Sequence, residues 1–299
     1  MNDTNLTAAS PSFPLLSPAK EKELTALTAI ALAISGIGVI NNALTLRVTW
    51  SNRLGKTGVS LLLFHFVAIN LLECLVTMPT AFTIMLAKRA GHLIPEQTCP
   101  CFTTLYMINV SVVNWSDADL ALNRFIALYF PHRYKALTSA AVNRAVIVGT
   151  WMISVGISLP FGLSVWGQGT FLSAFGHCSL KATGSRGAFL QAMVAYIPYA
   201  ISGTGSLLIL WKCFGISRFR ARNVASNHSG NNAVARYRTT ERRLNMAKML
   251  LFTFLWSGIC AFPAYLITSL FGYLYQTNPV SVMWTRTSSA CQYAFAPVR

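Results

Sequence analysis

Long apolar stretches separated by short polar ones dominate this chain. Residues 24–46, 145–166, 188–211 and 249–280 contain no Asp, Glu, Lys or Arg. Three further stretches are apolar but interrupted: 58–87 by Glu73, 98–130 by Asp117, Asp119 and Arg124, and 281–299 by Arg286 within the run and Arg299 at its end. A helix rises 1.5 Å per residue, so about 20 residues cross a hydrocarbon core of about 30 Å. The pattern therefore predicts seven helices, at approximately 24–50, 58–87, 98–130, 141–166, 188–214, 243–274 and 281–299. The runs are continuously apolar and do not alternate every second residue, which favours helices over a barrel. The expected fold is all-α, a seven-transmembrane helix bundle in one domain (24–299) after a polar tail (1–23).

Composition adds the solvent. The chain is 54% hydrophobic and 11% charged, with mean hydropathy +0.49, against roughly 25% charged residues in soluble domains. The net charge of +16 then reads as topology. With the N-terminus outside, 17 of the 24 Lys and Arg residues fall on or near the inner side, as the positive-inside rule requires. The expected location is the plasma membrane, multi-pass, with membrane lipids as partners. No basic segment is interleaved with aromatics, so a nucleic-acid partner is not expected. Asn2 and Asn5 open glycosylation sequons in the outer tail. The sequons at Asn109 and Asn114 lie within a span and are expected to stay unmodified. The five histidines are scattered without ligand spacing, and Asp117 and Asp119 share one helix on different faces. No metal site, cofactor or enzymatic activity is expected. A transporter is disfavoured for want of an internal repeat.

Charged residues within spans mark functional positions by default. Arg124 ends the apolar run in Asn114-Trp-Ser-Asp-Ala-Asp-Leu-Ala-Leu-Asn-Arg-Phe-Ile-Ala-Leu-Tyr-Phe-Pro131. Cys99 lies 25 residues before it. Together with Gly38-Val-Ile-Asn-Asn42, Asn70 to Pro79, Trp151, Pro160, Pro198, Cys260-Ala-Phe-Pro263 and Ala296-Pro297, in that order and spacing, these residues resemble the rhodopsin-like (class A) G-protein-coupled receptors across nearly the whole chain. The resemblance implies a cell-surface receptor that binds an extracellular small molecule or peptide and activates a heterotrimeric G protein. It also implies a disulfide between Cys99 and Cys178, with Cys101 a competitor two residues on. Asn123, Arg124, Phe125, Pro131, Pro263 and Pro297 take the coupling and switch positions. The chain ends at Arg299, before the family's tyrosine that closes helix 7, so the sequence is expected to be truncated there.

Departures from the family matter as much. Asn123 replaces the usual acid before Arg124, Phe125 the tyrosine after it, and Asn70 the sodium-binding aspartate, whose hydroxyl partner is here Val113. No sodium site is expected. Ala261, Ser257 and Ser206 replace further switch residues. These changes leave a rival reading, a receptor-like protein that binds ligand or partner with little G-protein activation. Tyr106 stands where amine receptors carry aspartate, which disfavours a simple biogenic amine, and Ala290 leaves no lysine for retinal.

Helix geometry suggests a substitute for the missing acid. Asp117 precedes Arg124 by seven residues, nearly two turns, so both share a face about 10 Å apart. Asp117 either supplies the buried acid that Asn70 cannot or serves packing alone. Asp119 lies four residues before Asn123, within hydrogen-bond reach along the helix. In the outer half, Glu73 and Arg286 leave three readings open: a pair between the second and seventh spans, contact with a charged ligand group, or snorkelling of Arg286 to the outer surface.

Overall fold

The computed structural model describes residues 17–51, 58–173, 176–224, 252, 254–267, 271 and 278–295. Among them are α1 (Pro18–Ser51), α2 (Gly58–Arg89), α3 (Thr98–Tyr129), a short helix α4 (Pro131–Leu137), α5 (Ala140–Gly162), α6 (Gly184–Val224), α7 (Phe254–Ile267) and α8 (Pro279–Ala294). The expected glycosylation sites Asn2 and Asn5, and the switch proline Pro297, lie outside the described residues. The segments of α1, α2, α5 and α6 are long and apolar enough to cross a membrane. Large apolar side chains on their outer faces stay exposed, including Ile40, Met152 and Trp211. Such a surface suits lipid, not water.

α3 has 32 residues and is less apolar for a structural reason. It packs against α2, α5, α6 and both strands, so it is buried nearly all round. Thr103, Asn109, Ser111, Asn114, Ser116 and Asn123 point into the protein. α1 packs on α8 and α2 across an approach that only glycine permits. A Cβ at Gly38 would lie 2.6 Å from Cys74 Sγ and 2.9 Å from the Ala294 Cα. Asn42 fastens the same contact by donating Nδ2–H bonds to the carbonyls of Gly38 and Tyr293.

α1 begins at Pro18, six residues before the apolar run, and Glu21 in its first turn meets Arg89 Nη2 at 3.0 Å. The fifth span begins earlier than hydropathy suggests, at Gly184, and the fourth ends earlier, at Gly162. Between them lies an antiparallel hairpin, β1 (Gly169–Leu172) with β2 (Cys178–Lys181), pairing Leu172 with Cys178 and Gly169 with Lys181. This small β element departs from the all-α expectation only outside the bundle.

α2 and α6 each contain a wider π turn, at Glu73–Thr77 and Ala192–Tyr196. Each stands immediately before a proline in the following segment, Pro79 and Pro198. Proline donates no hydrogen bond and its ring crowds the carbonyl one turn back, so the chain takes an extra residue into the turn. The carbonyls left without a main-chain donor are recovered by neighbours. Ser35 Oγ donates to Cys74 O at 2.9 Å. Trp115 Nε1 donates to Met193 O at 3.1 Å, and Asn114 Nδ2 to Val194 O at 2.9 Å. In a bilayer no water is present to do this, so two apparent interruptions become joints between helices.

Candidate functional site: an outer cavity and an inner helix end

Cys99 and Cys178 form a disulfide, which fastens the hairpin to the N-terminal end of α3. Cys101 is exposed as a free thiol. Beneath the hairpin lies a cavity of about 150 Å³ walled by α3, β2, α6, α7 and α8. Its polar lining includes Tyr106, Tyr196, Tyr265, Ser289 and Arg286. The Arg286 guanidinium carbon sits 4.2 Å from the centroid of the Tyr106 ring, and Tyr106 in turn stacks on Phe102. Arg286 is buried, turned into the bundle and away from the outer surface.

Glu73 does not line this cavity. It is fully buried in the π turn of α2, and among the described residues neither carboxylate oxygen is hydrogen-bonded to Arg286. Thr77 and Asn109, joined by a 2.9 Å bond, are its polar neighbours, and Arg286 acts on it electrostatically. The two charges thus feel one another without a direct hydrogen-bonded bridge. The hairpin adds a base. His177 is buried, with Ser173 Oγ 2.6 Å from its Nδ1. Burial, reinforced by the positive charge of Arg286, pushes its pKa down from 6.5 to about 4.

Below the cavity, Asn114 donates both to Val194 O and to the Tyr265 hydroxyl, at 2.9 and 3.0 Å. The Tyr199 hydroxyl donates to Ser257 O and accepts from Gln292 Nε2, so α3, α6, α7 and α8 are tied in one polar layer. Asn109 and Asn114, the asparagines of the two sequons within this span, are both buried. A second junction ties α3 to α2 and α5: Trp151 Nε1 donates to His65 Nε2 at 2.9 Å, and His65 Nδ1 faces Ser116 Oγ at 3.3 Å. An Nε2 that accepts implies that the neutral ring carries its proton on Nδ1.

Toward the C-terminal end of α3, Asp117 accepts a bond from Ser202 Oγ at 3.2 Å and lies within electrostatic reach of Arg124. Asp119 turns instead to α5, accepting from Thr150 Oγ1 at 2.9 Å. That bond replaces the anticipated contact with Asn123, since the side chain leaves α3 sideways and meets a hydroxyl on the neighbouring helix. Asn123 is buried and Arg124 exposed. Phe125 stacks on Tyr129 at 4.4 Å. Tyr129 donates to Leu208 O at 2.9 Å while Lys212 lies 4.1 Å over its ring and donates to Leu128 O. Pro131 opens α4 and Pro263 is exposed within α7. Among the described residues, no cluster of His, Cys, Asp and Glu side chains is placed to hold a metal.

Sequence reasoning missed Ser202, Thr150, Tyr265 and the bridging role of Asn114. Pro79 and Pro198, each interrupting an apolar run, were the available signal for the carbonyl caps; the partners of Asp117 and Asp119 left none.

Long apolar helices around a polar interior make this a membrane protein. The model of the 7 transmembrane receptor (rhodopsin family) matches residues 41–296, and the chain belongs to that family. It is 27% identical over 134 residues to the adenosine receptor A2b of Bos taurus, covering 44% of this chain and 39% of that receptor. It is 26% identical over 148 residues to a QRFP-like peptide receptor of Branchiostoma floridae, covering 49% and 37%. With the 5-hydroxytryptamine receptor 5A of Rattus norvegicus it shares 24% identity over 240 residues, 75% of this chain and 65% of that receptor. The chain spans about two fifths of the length of the first two relatives.

Proposed function

We propose that this chain is a plasma-membrane receptor, N-terminus outside, that binds an extracellular small molecule or peptide and activates a heterotrimeric G protein. One observation carries the reading. α3 contributes Tyr106 to the cavity under the hairpin and, about five turns further on, presents Arg124 exposed at its other end. A ligand in that cavity would bias the packing of α3 against α6 and α7 through Asn114, Asp117 and Lys212, and so shift the population of a partner-binding inner face. The three named relatives are receptors for an adenosine, a peptide and an amine by their names, so kinship alone selects no ligand.

The test is agonist-independent recruitment of a G protein to the receptor in cells, compared between wild type and Arg124→Ala at matched surface expression. Recruitment that falls to background in the variant is expected. Recruitment unaffected by the substitution refutes the role of Arg124. No recruitment by either favours the rival receptor-like reading, to which the buried Asn123 beside Arg124 in place of an acid gives structural support.

A further inference from the structure

Arg286 sets the chemistry of the outer cavity. Among the described residues lining it, Arg286 carries the only formal charge, and the remaining polar groups are hydroxyls, one amide and main-chain atoms. Glu73, the acid that feels Arg286, stands outside the lining. Its carboxylate makes no hydrogen bond to the guanidinium. The cavity is therefore a positively charged space walled by neutral donors. The same field is felt at the hairpin, where Arg286 disfavours the protonated form of His177.

Orientation adds selectivity. Contact with the Tyr106 ring at 4.2 Å holds the guanidinium, and Tyr106 is itself held by Phe102. A planar guanidinium fixed in this way matches an oxyanion through two parallel N–H bonds, as an ammonium does not. Tyr265 and Ser289 supply hydroxyls across the same cavity, and Tyr196 and Tyr293 supply aromatic walls for an apolar body.

We infer that the ligand of this cavity is an organic anion, an aromatic or aliphatic carboxylate whose charged end meets Arg286 and whose apolar end lies among the tyrosines. This rests on the outer cavity being the receptor's ligand site, as proposed above. The carboxylate could belong to a free organic acid or to a peptide C-terminus; the chemistry at Arg286 is shared.

Binding is measured on the receptor in neutral phosphatidylcholine nanodiscs, by thermal melting with benzoate, indole-3-acetate and the dipeptide Gly-Phe. Each carboxylate is paired with the matching amide, which lacks the negative charge. The acids are expected to raise the melting temperature by at least about 2 °C at saturation, by mass action, and the amides to leave it unchanged. Loss of a charge-assisted hydrogen-bonded pair weakens binding by about 10- to 100-fold. Arg286→Gln should show that loss. Arg286→Lys, which keeps the charge and guards against a folding defect, should show a smaller one. Glu73→Gln, which removes a competing negative charge, should tighten binding. Arg186→Gln, at an exposed arginine that does not line the cavity, should change nothing.

A response to Gly-Phe without response to the free organic acids assigns the carboxylate to a peptide, and the reverse assigns it to a metabolite-like acid. Equal shifts with acids and amides, insensitivity to Arg286, or no shift with any acid would overturn the inference. None of these results bears on G-protein recruitment, which is read separately through Arg124. An acid that binds through Arg286 without recruiting a G protein would uphold the ligand class and refute the signalling proposal.

Discussion

Replacing Asn114 by leucine removes two interhelical bonds at once, to Val194 O and to the Tyr265 hydroxyl. Interhelical hydrogen bonds in membranes average about 0.6 kcal/mol and reach about 1.7. A buried acceptor left unsatisfied costs about 1–3 kcal/mol, and the Val194 carbonyl is so placed because residue 198 is proline and has no N–H to offer. Together these give a loss of about 2–4 kcal/mol for Asn114→Leu. At roughly 2–4 °C per kcal/mol for a domain of this size, the melting temperature in nanodiscs should fall by about 4–16 °C. The origin of the cost can be isolated. In a Pro198→Ala background the new main-chain N–H can serve a carbonyl of the preceding turn, so Asn114→Leu should then cost about 1 kcal/mol less. Additivity of the two substitutions within about 0.5 kcal/mol, the ordinary outcome for independent sites, would refute the account of the π turn and its cap.

Two further outcomes follow from local geometry. The His177 pKa is about 4 in the folded hairpin against 6.5 when exposed. The stabilisation from keeping it neutral is complete above pH 6.5 and is lost as the pH falls through about 4. The full effect is at most about 3 kcal/mol. Melting temperature should decline across that window in wild type and decline less in His177→Gln; parallel curves would contradict the burial argument. At the C-terminal end of α3, Lys212→Met keeps the apolar stem but removes the bond to Leu128 O and the contact with the Tyr129 ring. About 1 kcal/mol should be lost, and the distance distribution between spin labels on the inner ends of α3 and α6 should broaden. An unchanged distribution would show that the Tyr129 bond to Leu208 O holds the ends without it.

Hydropathy revealed the spans because lipid demands the same long apolar run from every helix, and it was least informative for α3, where protein replaces lipid as the surroundings. It overlooked the hairpin because four-residue strands outside the bundle carry no periodicity worth reading. The disulfide was legible through family resemblance, not through spacing, since Cys101 offered a second partner on the same turn. Glu73 and Arg286 stood out as charges in apolar sequence, but their relation did not. Only the fold shows that Arg286 faces the cavity and lies on Tyr106 while Glu73 stays behind the wall. The partners of Asp117 and Asp119 were hidden for a related reason: helical phase tells which way an acid points, not which hydroxyl waits on the next helix.

The π turn at Glu73–Thr77 also fixes a phase between the two halves of α2. Each residue of an α-helix turns the chain by about 100°, so deleting one residue here, with Pro79 replaced to let a regular helix form, would rotate the outer half by about that angle. Phe82 and Met85, now buried, would swing toward lipid while the inner half kept its place. Any alignment of this chain to relatives that assumes an unbroken helix through residues 73–77 would therefore compare side chains that face different directions beyond that point. Conservation along Met78–Arg89 of α2 should be judged only after that offset is set.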